Sequence, residues 1–166
     1  MTVERIAHHA GDYSKVPIYD FDMGPIGFFL PNMVNSKVNE LVDTSKQDGT
    51  QTTRTELTAA LLLTLSGVDG DKVQNDIMDY REATRYDAGK KVSFRWPRLV
   101  TQKLDVLVSS ARRVRAQRAE FLGHAVLHSP DEPEALSKIV KAYREIEVGG
   151  FDPGSVAPAI DVTSPA

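Results

Sequence analysis

In the stretch KKVSFRWPRL, residues 90–99, every second position carries a hydrogen-bonding side chain: Lys91, Ser93 and Arg95, with Val92, Phe94 and Trp96 between them. That alternation is the period of a strand with two unlike faces, one basic and one apolar. The charge extends beyond the stretch. Residues 90–120 hold nine basic side chains against two acidic, a local charge of +7 in a chain of formal net charge −3. Residues 1–89 carry eight basic and fourteen acidic side chains, and residues 121–166 carry three and seven. A cationic block inside an acidic chain is the footprint that a polyanionic partner requires. The plainer alternative is a solvated charged face.

Other chemistry is sparse. His124 and His128 lie four apart, a helical spacing that suits a metal, but no third ligand accompanies them, and no metal or cofactor is expected. His8–His9 reads as an unstructured pair. No Ser-His-Asp order, glycine-rich phosphate loop or pair of carboxylates can be set on a plausible scaffold, so no enzyme is expected. With no cysteine there are no disulfides, thiolate metal sites or Cys nucleophiles, which fits a reducing cytoplasm. The N-terminus, MTVERIAHHAGDYSK, lacks the apolar run of a signal peptide. The longest apolar stretch, Ala59–Leu65, contains Thr64 and is far too short to span a bilayer. A cytoplasmic protein without a membrane partner is therefore expected. At 166 residues and 41% hydrophobic, the chain has enough apolar side chains for a packed core in one domain or two very small ones.

The elements that would position the basic stretch occur twice. Residues 25–42, PIGFFLPNMVNSKVNELV, align with 91–108, KVSFRWPRLVTQKLDVLV, at an offset of 66. Residues 53–63 align with 117–127 at an offset of 64, placing Arg54 on Arg118, Glu56 on Glu120 and Leu57 on Phe121. Each copy opens with a strand, its inward face Ile26, Phe28 and Leu30 or Val92, Phe94 and Trp96. Pro31 and Pro97 are then expected at the first helical position. The first helix carries Val34, Val38, Leu41 and Val42, matched by Val100, Leu104, Leu107 and Val108. The second starts near Thr52–Thr53, a good N-cap with Glu56 behind it; Ala116–Gln117 is a poorer one. A third helix is expected at about 71–86 and again at about 131–148, the latter with an apolar stripe of Leu136, Ile139, Val140, Tyr143 and Ile146. The expected organisation is a polar arm at 1–24, a first unit at 25–88, a second at 89–148 and a disordered tail at 149–166. A lone strand leaves its backbone groups unpaired. Two such strands, paired antiparallel over four helices, solve that problem. The expected fold is mostly α with a short two-stranded antiparallel β-ribbon.

In this order the residues resemble the ribbon-helix-helix DNA-binding proteins of the Arc and MetJ type, as two tandem copies in one chain forming a pseudo-dimer. Ser93-Phe94-Arg95-Trp96-Pro97-Arg98 is similar to the polar-apolar-Arg-Trp-Pro-Arg junction of the Arc repressor. The likeness spans about 25–65 and 91–128. It implies that the outward strand side chains enter the major groove, with Lys91, Ser93 and Arg95 reading base edges and Phe29 touching a thymine methyl. Pro25 and Gly27 offer no base-specific hydrogen bond. The likeness also implies phosphate binding at the starts of the second helices, at Gln117, Arg118 and Ala119 and at Thr53, Arg54 and Thr55. Lys90, Arg98, Arg112, Arg113 and Arg115 would add phosphate contacts that carry no sequence information.

The implied function is sequence-specific binding of double-stranded DNA, most simply as a transcriptional repressor associated with the nucleoid. An accessory role in plasmid conjugation or partition is one alternative. Another is an antitoxin-like docking module whose first repeat or third helices hold a protein partner. Two pairings are open. The copies can pair within one chain as a monomeric pseudo-dimer, or copy with copy in a homodimer. The first is expected, with Pro25 keeping the first strand short.

Overall fold

The computed structural model describes residues 13–162. His8–His9, the arm up to residue 12 and the tail from residue 163 lie outside the described residues. Strand β1 (Met23–Pro31) leads into helices α1 (Asn32–Lys46), α2 (Arg54–Leu62) and α3 (Gly70–Thr84). Strand β2 (Gly89–Pro97) leads into α4 (Arg98–Ser109), α5 (Arg118–Leu127) and α6 (Pro133–Arg144). The described residues are thus mostly helical, with a single sheet of two antiparallel strands.

The two strands pair within the chain, from Met23 opposite Pro97 to Pro31 opposite Gly89. Period-2 alternation decides which face is buried. Ile26, Phe28, Leu30, Phe94 and Trp96 all point inward and are buried. Phe28 lies 5.3 Å from Trp96 and 6.0 Å from Phe94, centroid to centroid. These tilted aromatic contacts lock the ribbon onto the helices below. The fully buried Trp96 indole donates from Nε1 to Thr58 Oγ1 of α2 at 3.3 Å, so its polar atom is not stranded. The first strand is as long as the second, and Pro25 does not shorten it. In a two-stranded ribbon each strand is an edge, where a missing N–H can face solvent.

Each helix that follows a strand is capped by the chain leading into the other strand. Asn32 N–H donates to Ala88 O at 2.8 Å, and Met33 N–H to the Asp87 carboxylate at 2.7 Å. Arg98 N–H donates to Asp22 O at 2.9 Å. Orphan N–H groups at both helix starts are thereby satisfied across the ribbon. Pro31 and Pro97 are N-caps, one position earlier than expected, with the helices beginning at Asn32 and Arg98.

Under the ribbon, α2 packs on α5, α1 on α6, and α3 on α5. The core side chains include Val34, Val38 and Leu41 of α1, Leu57 and Leu61 of α2, Leu104 and Leu107 of α4, and Phe121 and Val126 of α5. The third helices contribute matched sets, Val73, Ile77 and Tyr80 from α3 and Leu136, Val140 and Tyr143 from α6.

The expected disordered tail is a correction, because residues 149–162 are pinned. Ala159 and Ile160 N–H both donate to Leu63 O, at 2.9 and 3.0 Å. Gly67 N–H donates to Val156 O at 2.7 Å, and Ile160 is buried. The polar arm is likewise held from residue 13. Its Ile18 is fully buried, and its backbone pairs with Ile146 and Val148. A glycine- and proline-rich composition carries no periodicity, but it leaves backbone groups free to satisfy helix ends.

Candidate nucleic-acid interface

The outward face of the ribbon is built from three cross-strand pairs: Pro25 with Arg95, Gly27 with Ser93 and Phe29 with Lys91. All six residues are exposed, and Phe29 keeps 65% of its surface. Opposed side chains on one face of an antiparallel pair stand about 5 Å apart, so the four candidate base readers form one contiguous patch. Gly27 leaves the centre open: a Cβ there would stand 3.6 Å from Lys91 Cε, where the lysine stem crosses the ribbon. The buried aromatics fix the strands, and the strands aim the donors.

The phosphate candidates fall in three places. Lys90 is the second residue of β2, and Arg98 follows its end. Lys90 shares the register of the buried face but sits exposed at the ribbon end. Arg98 faces the Asp22 carboxylate at 3.3 Å, and its guanidinium covers Gly24, where a Cβ would lie 2.8 Å from Arg98 Cζ. At the start of α2, Thr53 is the N-cap and accepts from Glu56 N–H at 3.1 Å. Thr55 is half-buried, and Arg54 donates to Oδ1 of the buried Asn35 at 3.3 Å, joining α2 to the first turn of α1.

The third place is the turn between α4 and α5. Arg112, Arg113 and Arg115 are exposed there, and Arg115 holds a left-handed conformation at φ 53°. Arg113 is 4.0 Å from Asp71. At the start of α5 the groups are already engaged. Gln117 N–H donates to Glu120 Oε1 at 2.8 Å, so the weaker cap is completed by a carboxylate. Arg118 grips Asp105 through Nε and a terminal nitrogen at 2.7 and 2.8 Å. That bidentate bond pushes the Arg118 pKa further up.

The basic block therefore divides. Lys103 belongs to it in sequence but is buried, 1% exposed, and its Nζ donates to the carbonyls of Ser155 and Ala157. Burial pushes its pKa down, with Asp152 opposing the shift. Among the described residues Lys90, Lys91, Arg95, Arg112 and Arg115 have no acidic partner, and these charges remain for an external anion.

Two arginines outside the sequence-level candidates organise the site from behind. Arg81 of α3 binds Glu120 of α5 at 2.9 Å and donates to Val114 O at 2.6 Å in the arginine turn. Arg144 of α6 binds Glu56 of α2 at 2.7 Å and donates to Gln51 O at 2.6 Å. Each third helix thus holds a second helix and the loop before it. Glu56 and Glu120 recur in the sequence alignment, and the arginines recur at a spacing of 63, a signal that extending the alignment into the third helices would expose.

The His124 and His128 rings are tilted by 40° with centroids 4.3 Å apart, and His124 Nε2 lies 3.7 Å from Asp76 Oδ2. Among the described residues no three His, Asp or Glu side chains are grouped to hold a metal, and no helix is long and apolar enough to cross a membrane. Comparison of the chain with family models, with curated proteins and with solved structures gives no match.

Proposed function

We propose that this protein binds double-stranded DNA sequence-specifically through its β-ribbon, as two tandem ribbon-helix-helix repeats closed into a pseudo-dimer within one chain. The observation that carries this is the outward face of the ribbon. Lys91, Ser93 and Arg95 project side by side from a strand whose other face is locked by Phe94 and Trp96. A two-stranded ribbon fits the major groove, and Arg and Lys match guanine O6 and N7 there. Lys90, Arg112, Arg113 and Arg115 supply the sequence-independent attraction to phosphates. The reciprocal caps and the Arg81–Glu120 and Arg144–Glu56 pairs support the repeat, since matched residues do matched work in both halves.

The simplest role is a transcriptional repressor in the nucleoid, with an accessory role in plasmid conjugation or partition as the neighbouring one. A protein-docking role, antitoxin-like, is favoured by one observation: Phe29 is 65% exposed and Met33, at the start of the following helix, is 40% exposed. Fluorescence anisotropy separates the two. DNA from upstream of the protein's own coding region and a scrambled duplex are titrated at low and at physiological salt. DNA reading predicts a preference for the native fragment that survives physiological salt. Equal binding to both, lost as salt rises, would refute it and leave docking.

A further inference from the structure

The register of the ribbon defines a centre. Gly27 faces Ser93, and the pairs Pro25–Arg95 and Phe29–Lys91 flank it. The 66-residue offset of the two copies sets Gly27 on Ser93, Pro25 on Lys91 and Phe29 on Arg95. An axis exchanging the strands therefore passes through the Gly27–Ser93 pair. Were the matched outward residues alike, both sides of that axis would carry the same groups, and the DNA they fit would have inverted symmetry. They are not alike. One side presents Arg95 beside Pro25; the other presents Lys91 beside the exposed ring of Phe29. All three hydrogen-bonding side chains come from β2.

A second asymmetry lies away from the ribbon. The turn before α5 carries Arg112, Arg113 and Arg115. The matching segment before α2, KQDGTQTT at 46–53, has one basic residue, Lys46, which lies 3.8 Å from Asp43, and it includes Asp48. Three exposed arginines on the one side stand against a single lysine on the other, so charge-driven phosphate contact is weighted to one side of the molecule.

We propose that a single chain reads one non-palindromic duplex site in a fixed orientation. The proposal rests on the DNA-binding function above and specifies the ligand. One half of the site offers guanine acceptors to Arg95. The other offers an acceptor to Lys91 next to a thymine methyl against Phe29. A chain built this way needs no second copy to complete its site.

The test is selection of bound duplexes from a randomised library at physiological salt with the full chain, followed by sedimentation of the complex with the selected duplex. The expected result is an enriched motif without inverted symmetry, bound by one chain per duplex. Replacing one half by the inverted repeat of the other is expected to weaken binding about tenfold or more. A palindromic motif bound by two chains would overturn this proposal and leave DNA binding standing. A library that yields no motif would overturn both. A symmetrised variant, Pro25→Lys with Gly27→Ser and Phe29→Arg, changes exposed positions only. It is expected to select a motif with inverted symmetry, and its keeping the wild-type motif would also overturn the proposal.

Discussion

At the residue scale, charge alone does not identify a contact; the engagement of each charge does. Nine basic side chains crowd residues 90–120, but Lys103 serves the C-terminal segment and Arg118 is committed to Asp105. Arg113, exposed and only 4.0 Å from Asp71, is free to exchange that weak pair for a phosphate. Arg113→Ala is expected to weaken binding to all duplexes alike and to reduce the salt slope by about one, read from anisotropy titrations at several salt concentrations. A change in base preference would remove Arg113 from the phosphate set. The alternation Lys91, Ser93, Arg95 was legible in the sequence because strand period is local. The fate of Lys103 was not, because its partners lie more than fifty residues away in a segment without a pattern.

His124 supplies a second prediction at this scale. Burial, with the neighbouring His128, pushes its pKa down to about 4, against the pull of Asp76. Its folded pKa lies below the ordinary value of about 6.5, so the unfolded chain takes up the proton first. The stability present above about pH 6.5 is lost as pH falls towards 4, by up to about 3 kcal/mol. Urea unfolding at pH 7 and pH 4.5 checks this. His124→Gln should shrink the difference between the two pH values, and an unchanged difference would assign the acid sensitivity to other groups.

At the scale of elements, the sequence pattern predicted what is periodic and missed what is reciprocal. The amphipathic stripes of α1 and α4 and the Thr53 cap were readable from spacing. The cross-ribbon caps at Asp22, Asp87 and Ala88 were not, because they join segments brought together only by strand pairing. The same holds for the arginine clamps. Arg81→Ala and Arg144→Ala are each expected to lower stability by about 1–2 kcal/mol, since both side chains are partly solvated. They should differ in function. Arg81 holds the turn that carries Arg112, Arg113 and Arg115, so its loss is expected to weaken DNA binding beyond the stability effect. Arg144 holds a loop with no basic residue and should leave DNA affinity near wild type. Chemical denaturation and anisotropy on both variants decide this, and equal losses of affinity would contradict it.

At the scale of the whole molecule, one chain closes both halves. The intrachain pairing of β1 with β2 buries faces that neither strand could bury alone, and the third helices and the tail seal the ends. The tail is the part that composition misjudged. A chain ending at residue 151 would expose Leu63 O, the Lys103 ammonium and the site of Ile160. It is expected to unfold at lower urea than the full chain and to be cleaved faster by protease. Identical midpoints and cleavage rates would show the tail to be dispensable. The charge is also uneven at this scale, with +7 in residues 90–120 of a chain of net charge −3.

The most direct test of the central claim compares wild type with Arg95→Ala on a panel of duplexes carrying every single base change across the bound site. If the ribbon reads bases, Arg95→Ala abolishes discrimination at one base pair, about 1–3 kcal/mol, and leaves the others intact. If the variant keeps the full wild-type preference, or weakens on every duplex equally, the ribbon is not the reading head.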